Sequence, residues 1–128
     1  MSSSIAVPDI FPLVDAILGR RYEDYNCWHL LRDLYGKGWG IDLDADPAAA
    51  AAQVQEIWFQ GDARDPLMLV QAWDILIFRP QGMASSHVGI VCDGRQFVHT
   101  RKNLGTCMEL TKRWAPRLMQ IARLRRLL

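Results

Sequence analysis

Apolar residues recur at helical spacing in the first part of this chain and gather into short strand-like runs in the second. Ile10, Leu13, Val14, Ile17 and Leu18 share one helical face, which predicts a short amphipathic helix over residues 9–18, ended by Gly19. Residues 20–26 are polar and loop-like. Asn26 is a good helix cap, because its side-chain oxygen can accept the free N–H groups of a first turn. After it Cys27, Leu30, Leu31, Leu34 and Tyr35 fall at i, i+3, i+4, i+7 and i+8, one buried stripe, with Gly36 and Gly38 expected to stop the helix. Asp46 followed by Pro47 reads as a cap and a first helical residue, and predicts a helix through the alanines 48–52 to about Phe59, closed by Gly61.

The pattern then changes. Asp74-Ile75-Leu76-Ile77-Phe78 is a core-strand run ended by Pro80. Residues 87–92 and 95–100 predict two strands joined around Asp93-Gly94, and residues 106–110 a further one. Residues 118–127 fit either a strand or a helical face. Helices first and an antiparallel sheet afterwards give an α+β arrangement. With 128 residues, no repeat and no linker, the expectation is a single domain over residues 1–128.

Composition excludes several classes. Half the residues are hydrophobic and 23% charged, an ordinary globular mix. No run approaches the ~18 apolar residues of a membrane helix, so no membrane insertion is expected. The first eight residues lack a basic start, an apolar run and a cleavage site. The expectation is synthesis in the cytoplasm without a signal peptide. The net charge of +1 is unevenly spread: residues 1–66 carry 5 basic and 11 acidic side chains, residues 67–128 carry 10 and 3. The two halves are expected to neutralise each other across the fold, and a dedicated nucleic-acid binder would be basic overall, so no nucleic-acid partner is expected. Three cysteines without a CxxC pair argue against a disulfide framework or a zinc knuckle. Cys92 and Cys107, in apolar strand surroundings, read as buried structural thiols.

Cys27 differs. It follows a cap residue in the first turn of a helix, where unpaired N–H groups and the positive end of the helix dipole favour thiolate, the nucleophilic form. The bland alternative is a cysteine that merely begins a buried stripe. Two of the three histidines stand on the predicted hairpin, His87 opening one strand and His99 closing the next. A two-residue turn would put them on opposite faces. A three-residue loop 92–94, with Gly94 left-handed, pairs Val91 with Arg95 and sets His87 opposite His99, which is the expected register. Gly89 then shares their face and is expected to leave room for a helix. A cysteine at a helix start and two facing histidines make a nucleophile, a base and an orienting group. Ordinary strand histidines stay open as an alternative, and a zinc site from Cys27, His87 and His99 is chemically allowed without being preferred by the spacing. His29 reads as a surface residue, or one behind the nucleophile, and Asp74 as structural. Trp28 and Trp39 flank the nucleophile helix and could line a groove. No cofactor and no metal are called for.

Tyr22…Asn26-Cys27-Trp28, Trp73-Asp74-Ile75-Leu76-Ile77-Phe78, Ser86-His87-Val88-Gly89-Ile90 and Phe97-Val98-His99-Thr100 together resemble the NlpC/P60 cysteine peptidases over about residues 17–125. The order Cys, His, His and the twelve-residue step between the histidines match that family's pattern. The cysteine–tryptophan pair and the Trp114…Arg123 segment look most like the branch carried by phages and phage-like tail machines. The resemblance implies a papain-like fold and an endopeptidase cutting peptidoglycan stem peptides, typically between γ-D-glutamate and diaminopimelate. Cys27 then takes the nucleophile position, His87 the base and His99 the third polar residue. Tyr22 takes the oxyanion-side tyrosine, and Trp28 a place against substrate. The expected partners are stem peptides and phage tail proteins, and the expected place of action is the cell wall, as a virion or tail component. The family's usual Asp-Cys-Ser-Gly reads Asn26-Cys27-Trp28-His29 here, and its Gly-Asp reads Trp73-Asp74, expected to alter only the turn. The rival readings are a papain-like amidase or acyltransferase on another substrate, and a non-catalytic tail-assembly component.

Overall fold

The computed structural model describes residues 6–43, 47–79 and 86–128. Asp46 and Pro80, expected as a cap and a strand end, lie outside the described residues. The helices α1 (Ile10–Asp15), α2 (Cys27–Trp39) and α3 (Pro47–Ala52) precede the strands β1 (Val54–Phe59), β2 (Ile75–Phe78), β3 (His87–Val91), β4 (Gln96–Arg101) and β5 (Gly105–Leu110). A one-turn helix α4 (Thr111–Trp114) then leads to β6 (Leu118–Leu124). Among the described residues the six strands form one antiparallel sheet in the order β1-β6-β2-β3-β4-β5. This is the expected α+β arrangement. The open choice at residues 118–127 resolves to a strand followed by a 3-10 turn.

The helix expected from Pro47 to Phe59 stops at Ala52, and Val54–Phe59 is a strand. The alanines favour helix, but Val54, Ile57, Trp58 and Phe59 are β-branched or aromatic, and pairing with β6 decides the matter. Trp58 lies opposite Ile121 and is buried. The first helix is also shorter than expected, with hydrogen-bonded turns carrying the chain from Asp15 to a left-handed Gly19.

The sheet divides the core in two. On one face Leu30 and Leu34 of α2 meet Ile90 and Val98, with Ile10, Val14 and Ile17 from the N-terminal segment. On the other, Trp58, Leu76, Phe78, Val91, Phe97, Trp114, Leu118 and Ile121 form a second cluster. Strand alternation produces this split, since neighbours along a strand point to opposite faces.

Trp73 ties the first cluster together. It adopts φ 76°, a left-handed conformation that costs a side-chain-bearing residue ~1 kcal/mol or more. The cost is offset by complete burial, by its N–H donating to the Val91 carbonyl at 2.8 Å and by its indole N–H donating to the Pro8 carbonyl at 2.8 Å. The Tyr35 hydroxyl donates to its carbonyl. Trp73 therefore does more than alter a turn. Gly38, expected to stop α2, instead lets the helix pass over this ring: a Cβ there would sit 2.4 Å from the indole. The stop comes two residues later at Gly40, with φ 69°.

Asp74, read as structural, is fully buried and held by Arg123 through two 2.8 Å contacts. Burial pushes its pKa up, and Arg123 and the Gln71 N–H oppose that shift.

Candidate active site

Cys27 is the first residue of α2. The Asn26 side chain caps the helix as expected, accepting the Trp28 N–H at 3.0 Å and the His29 N–H at 3.1 Å. His29 completes the box: its Nδ1 accepts the Asn26 N–H at 3.2 Å. Of the two readings of His29, a surface residue or one behind the nucleophile, the second fits: it holds the turn that carries Cys27, and it stacks on Tyr25. The Leu30 N–H bonds to the Asn26 carbonyl. Of the first-turn donors the Cys27 N–H alone has no partner among the described residues.

His87 and His99 come together. The hairpin pairs Val91 with Phe97 and Ile90 with Val98, so the loop holds three residues, 93–95. The expected pairing of Val91 with Arg95 is therefore off by two, and His99 stands level with Gly89 rather than His87. The shift is even, so both imidazoles still share a face. The cause is Asp93, whose Oδ1 accepts the N–H groups of Arg95 at 2.8 Å and Gln96 at 2.9 Å and closes the turn. Gly94, expected in the left-handed region, is not among the residues of positive φ. Gly89 makes room for the Phe97 ring, 2.6 Å from where its Cβ would be, and not for a helix.

The diagonal brings His87 Nε2 to 2.7 Å from His99 Nδ1. The two rings lie on the face opposite α2, against Phe78, Phe97 and Trp114. Trp114 covers their junction, its ring 4.8 Å from His99 and 5.8 Å from His87. Burial holds His87 down to about 4, with His99 and Arg101 pulling the same way and Glu109 opposing. Burial also lowers His99, again against Glu109. Burial thus favours the neutral form of both rings.

Glu109, absent from the sequence reading, accepts from His99 Nε2 and takes Arg101 Nη1 at 3.4 Å on its other oxygen. The available signal was a carboxylate in a half of the chain with only three acids, at a strand position two residues from Cys107. Cys107 is half-buried rather than buried and lies opposite His99, while Cys92 is buried as expected and its thiol is pushed up to about 12. His99, Cys107 and Glu109 offer donor atoms within 4.8 Å of one another. The Glu109 oxygen and His99 Nε2 hydrogen-bond each other, and burial pushes the Cys107 thiol up.

Tyr35 of α2 and Val91 of β3 meet at Trp73. Eight residues of helix back from Tyr35 span ~12 Å, and four residues of strand back from Val91 span ~13 Å. Cys27 and His87 thus each lie about that far along their own element from the shared Trp73 contact. The segment before α2 lies against β5 and the turn after β4: the Arg20 carbonyl accepts the Thr106 N–H at 2.8 Å, and the Tyr22 ring lies 6.0 Å from Lys102 Nζ. Among the described residues no hydrogen bond reaches the Cys27 sulfur.

Trp28 is 46% exposed and lines an apolar groove of about 170 Å3 with Leu31, Tyr35, Leu43, Val54 and Leu124. A larger open cavity of about 680 Å3, lined by Arg20, Asp24, Tyr25, His29, Asp33 and Lys37 among others, contains none of Cys27, His87 and His99. No helix among the described residues is long and apolar enough to cross a membrane.

A sequence model described as the NlpC/P60 family matches residues 17–123. No curated protein matches the chain.

Proposed function

The chain belongs to the NlpC/P60 family of cell-wall peptidases and amidases, and from that premise we propose a cysteine endopeptidase that cuts stem-peptide amide bonds of peptidoglycan, the γ-D-glutamyl–diaminopimelate bond, as part of a phage or phage-like tail. The observation that carries the chemistry is the 2.7 Å contact from His87 Nε2 to His99 Nδ1. It occupies one nitrogen of His87 and leaves Nδ1 as the base.

In this mechanism His87 Nδ1 takes the Cys27 thiol proton as the sulfur attacks the peptide carbonyl. The oxyanion is held by the Cys27 N–H and the Tyr22 hydroxyl. His87 then gives its Nδ1 proton to the leaving amine, and a thioester remains on Cys27. Water attacks the thioester with His87 as base, releasing the acid and restoring the thiol. The mechanism requires the sulfur and this imidazole to meet in the substrate complex. Trp28, exposed beside the nucleophile, offers a flat apolar surface to the peptide.

Digestion of purified peptidoglycan by wild type and Cys27→Ala tests this. Mass spectrometry should reveal a new free amino group on diaminopimelate with wild type only. Full cleavage by Cys27→Ala would end the account, and release of a different product would move the chain to the amidases.

A further inference from the structure

We propose that Glu109 is a positioning residue that sets the tautomer of both imidazoles and so keeps His87 Nδ1 free of its proton. This rests on the reading of His87 as base. The logic follows from donor counting. A carboxylate only accepts hydrogen bonds, so the His99 nitrogen that meets Glu109, Nε2, must carry its proton. A neutral imidazole has a single N–H, so His99 Nδ1 is an acceptor. His87 Nε2, 2.7 Å away, must then be the donor. His87 has used its only proton, and Nδ1 is left with a lone pair.

The surroundings keep this chain pointing one way. Burial lowers the pKa of both rings and so favours the neutral forms that the counting uses. Arg101 lies at 3.4 Å from the second Glu109 oxygen and itself approaches the Trp114 ring at 5.7 Å. Trp114 lies over the junction of the two rings and keeps water from supplying a competing donor. Glu109 is held from the opposite side by strand pairing, directly across from Phe97.

Glu109→Gln is the informative change, because it keeps shape and removes only the acceptor-only character. Arg101 attracts the new amide oxygen, which turns the amide N–H2 towards His99. His99 Nε2 then accepts, its Nδ1 donates, and the His87 proton is driven onto Nδ1, where it blocks the base. Long-range proton–nitrogen correlation spectra of histidine-labelled full-length protein near pH 7 read the tautomers directly. Wild type should carry the proton on Nε2 in both His87 and His99. Glu109→Gln should move it to Nδ1 in both, and should slow iodoacetamide alkylation of Cys27, followed by peptide mass spectrometry, by roughly 10- to 100-fold. Glu109→Asp should keep the wild-type tautomers.

A wild-type His87 protonated on Nδ1 would overturn the proposal, as would unchanged tautomers in folded Glu109→Gln. If Glu109→Gln does not fold, the wild-type and Glu109→Asp spectra still decide. Neither readout uses peptidoglycan, so intact cell walls with the expected tautomers would sink the substrate assignment and leave the positioning role standing.

Discussion

The two faces of the sheet are built on different principles. Under α2 the contacts are apolar: Leu30, Leu34, Ile90 and Val98 are all buried, and each contributes ~1.5–3 kcal/mol by leaving water. On the other face an unbroken polar chain, His87 to His99 to Glu109 to Arg101, runs beneath Trp114 beside Phe78 and Phe97. A satisfied polar chain adds little net stability, but each member is costly to orphan and each fixes the direction of the next. One face holds the molecule together, and the other, in our proposal, orders protons. Cys27 belongs by its helix to the first.

Substitutions should separate the two faces. The largest effect falls on activity: Cys27→Ala and His87→Ala should each lower turnover of purified muropeptides by roughly 10^4-fold or more, the first with the melting temperature little changed and the second with the fold kept but less stable, because it orphans the buried His99 Nδ1. His99→Ala should leave a weaker enzyme. Loss of the fold in Cys27→Ala would mean that the cysteine is structural. Next comes Leu34→Ala on the apolar face, which should cost ~2–5 kcal/mol in denaturant titrations. The protein that remains folded should keep its turnover, and a selective loss of kcat would show that the faces are not separable.

The pH response sharpens the contrast. His87 is held down to about 4, so its neutral form persists well below the ordinary 6.5. The unfolded chain binds that proton first, so the stability this ring contributes is complete above pH 6.5 and is lost as the pH falls towards 4. The acid limb of kcat/KM should lie near 4 for the same reason. A limb at 6.5 or higher would show that the ring is not shielded in the free enzyme. The smallest expected effect is that of Asn26→Ala, which removes the cap from the Trp28 and His29 N–H groups. It should cost ~1 kcal/mol, and, because the turn bearing Cys27 loosens, activity should fall by more than that stability loss explains.

Local chemistry made much of this legible. The stripe Cys27, Leu30, Leu31, Leu34, Tyr35 and the cap at Asn26 are settled within one or two turns of chain; the structure reproduces the cap and buries Leu30, Leu34 and Tyr35, with Cys27 and Leu31 half-buried. So is the parity that puts His87 and His99 on one face, because any three-residue loop preserves it. The register was not legible. Asp93 closes the turn through its carboxylate, and the strand pairs differ from the expected ones by two residues without any change in the hydrophobic pattern.

The sequence alone determined the helices-then-sheet order, the capped helix start at Cys27 and the family, since periodicity, capping and motif spacing are written in nearest neighbours. Only the tertiary structure decided that residues 54–59 pair with β6, that a left-handed Trp73 replaces a turn glycine by burying itself, and that Glu109 completes the histidine pair. Those outcomes depend on what lies across a strand or under a ring. That is set by long-range packing, which local propensity does not encode.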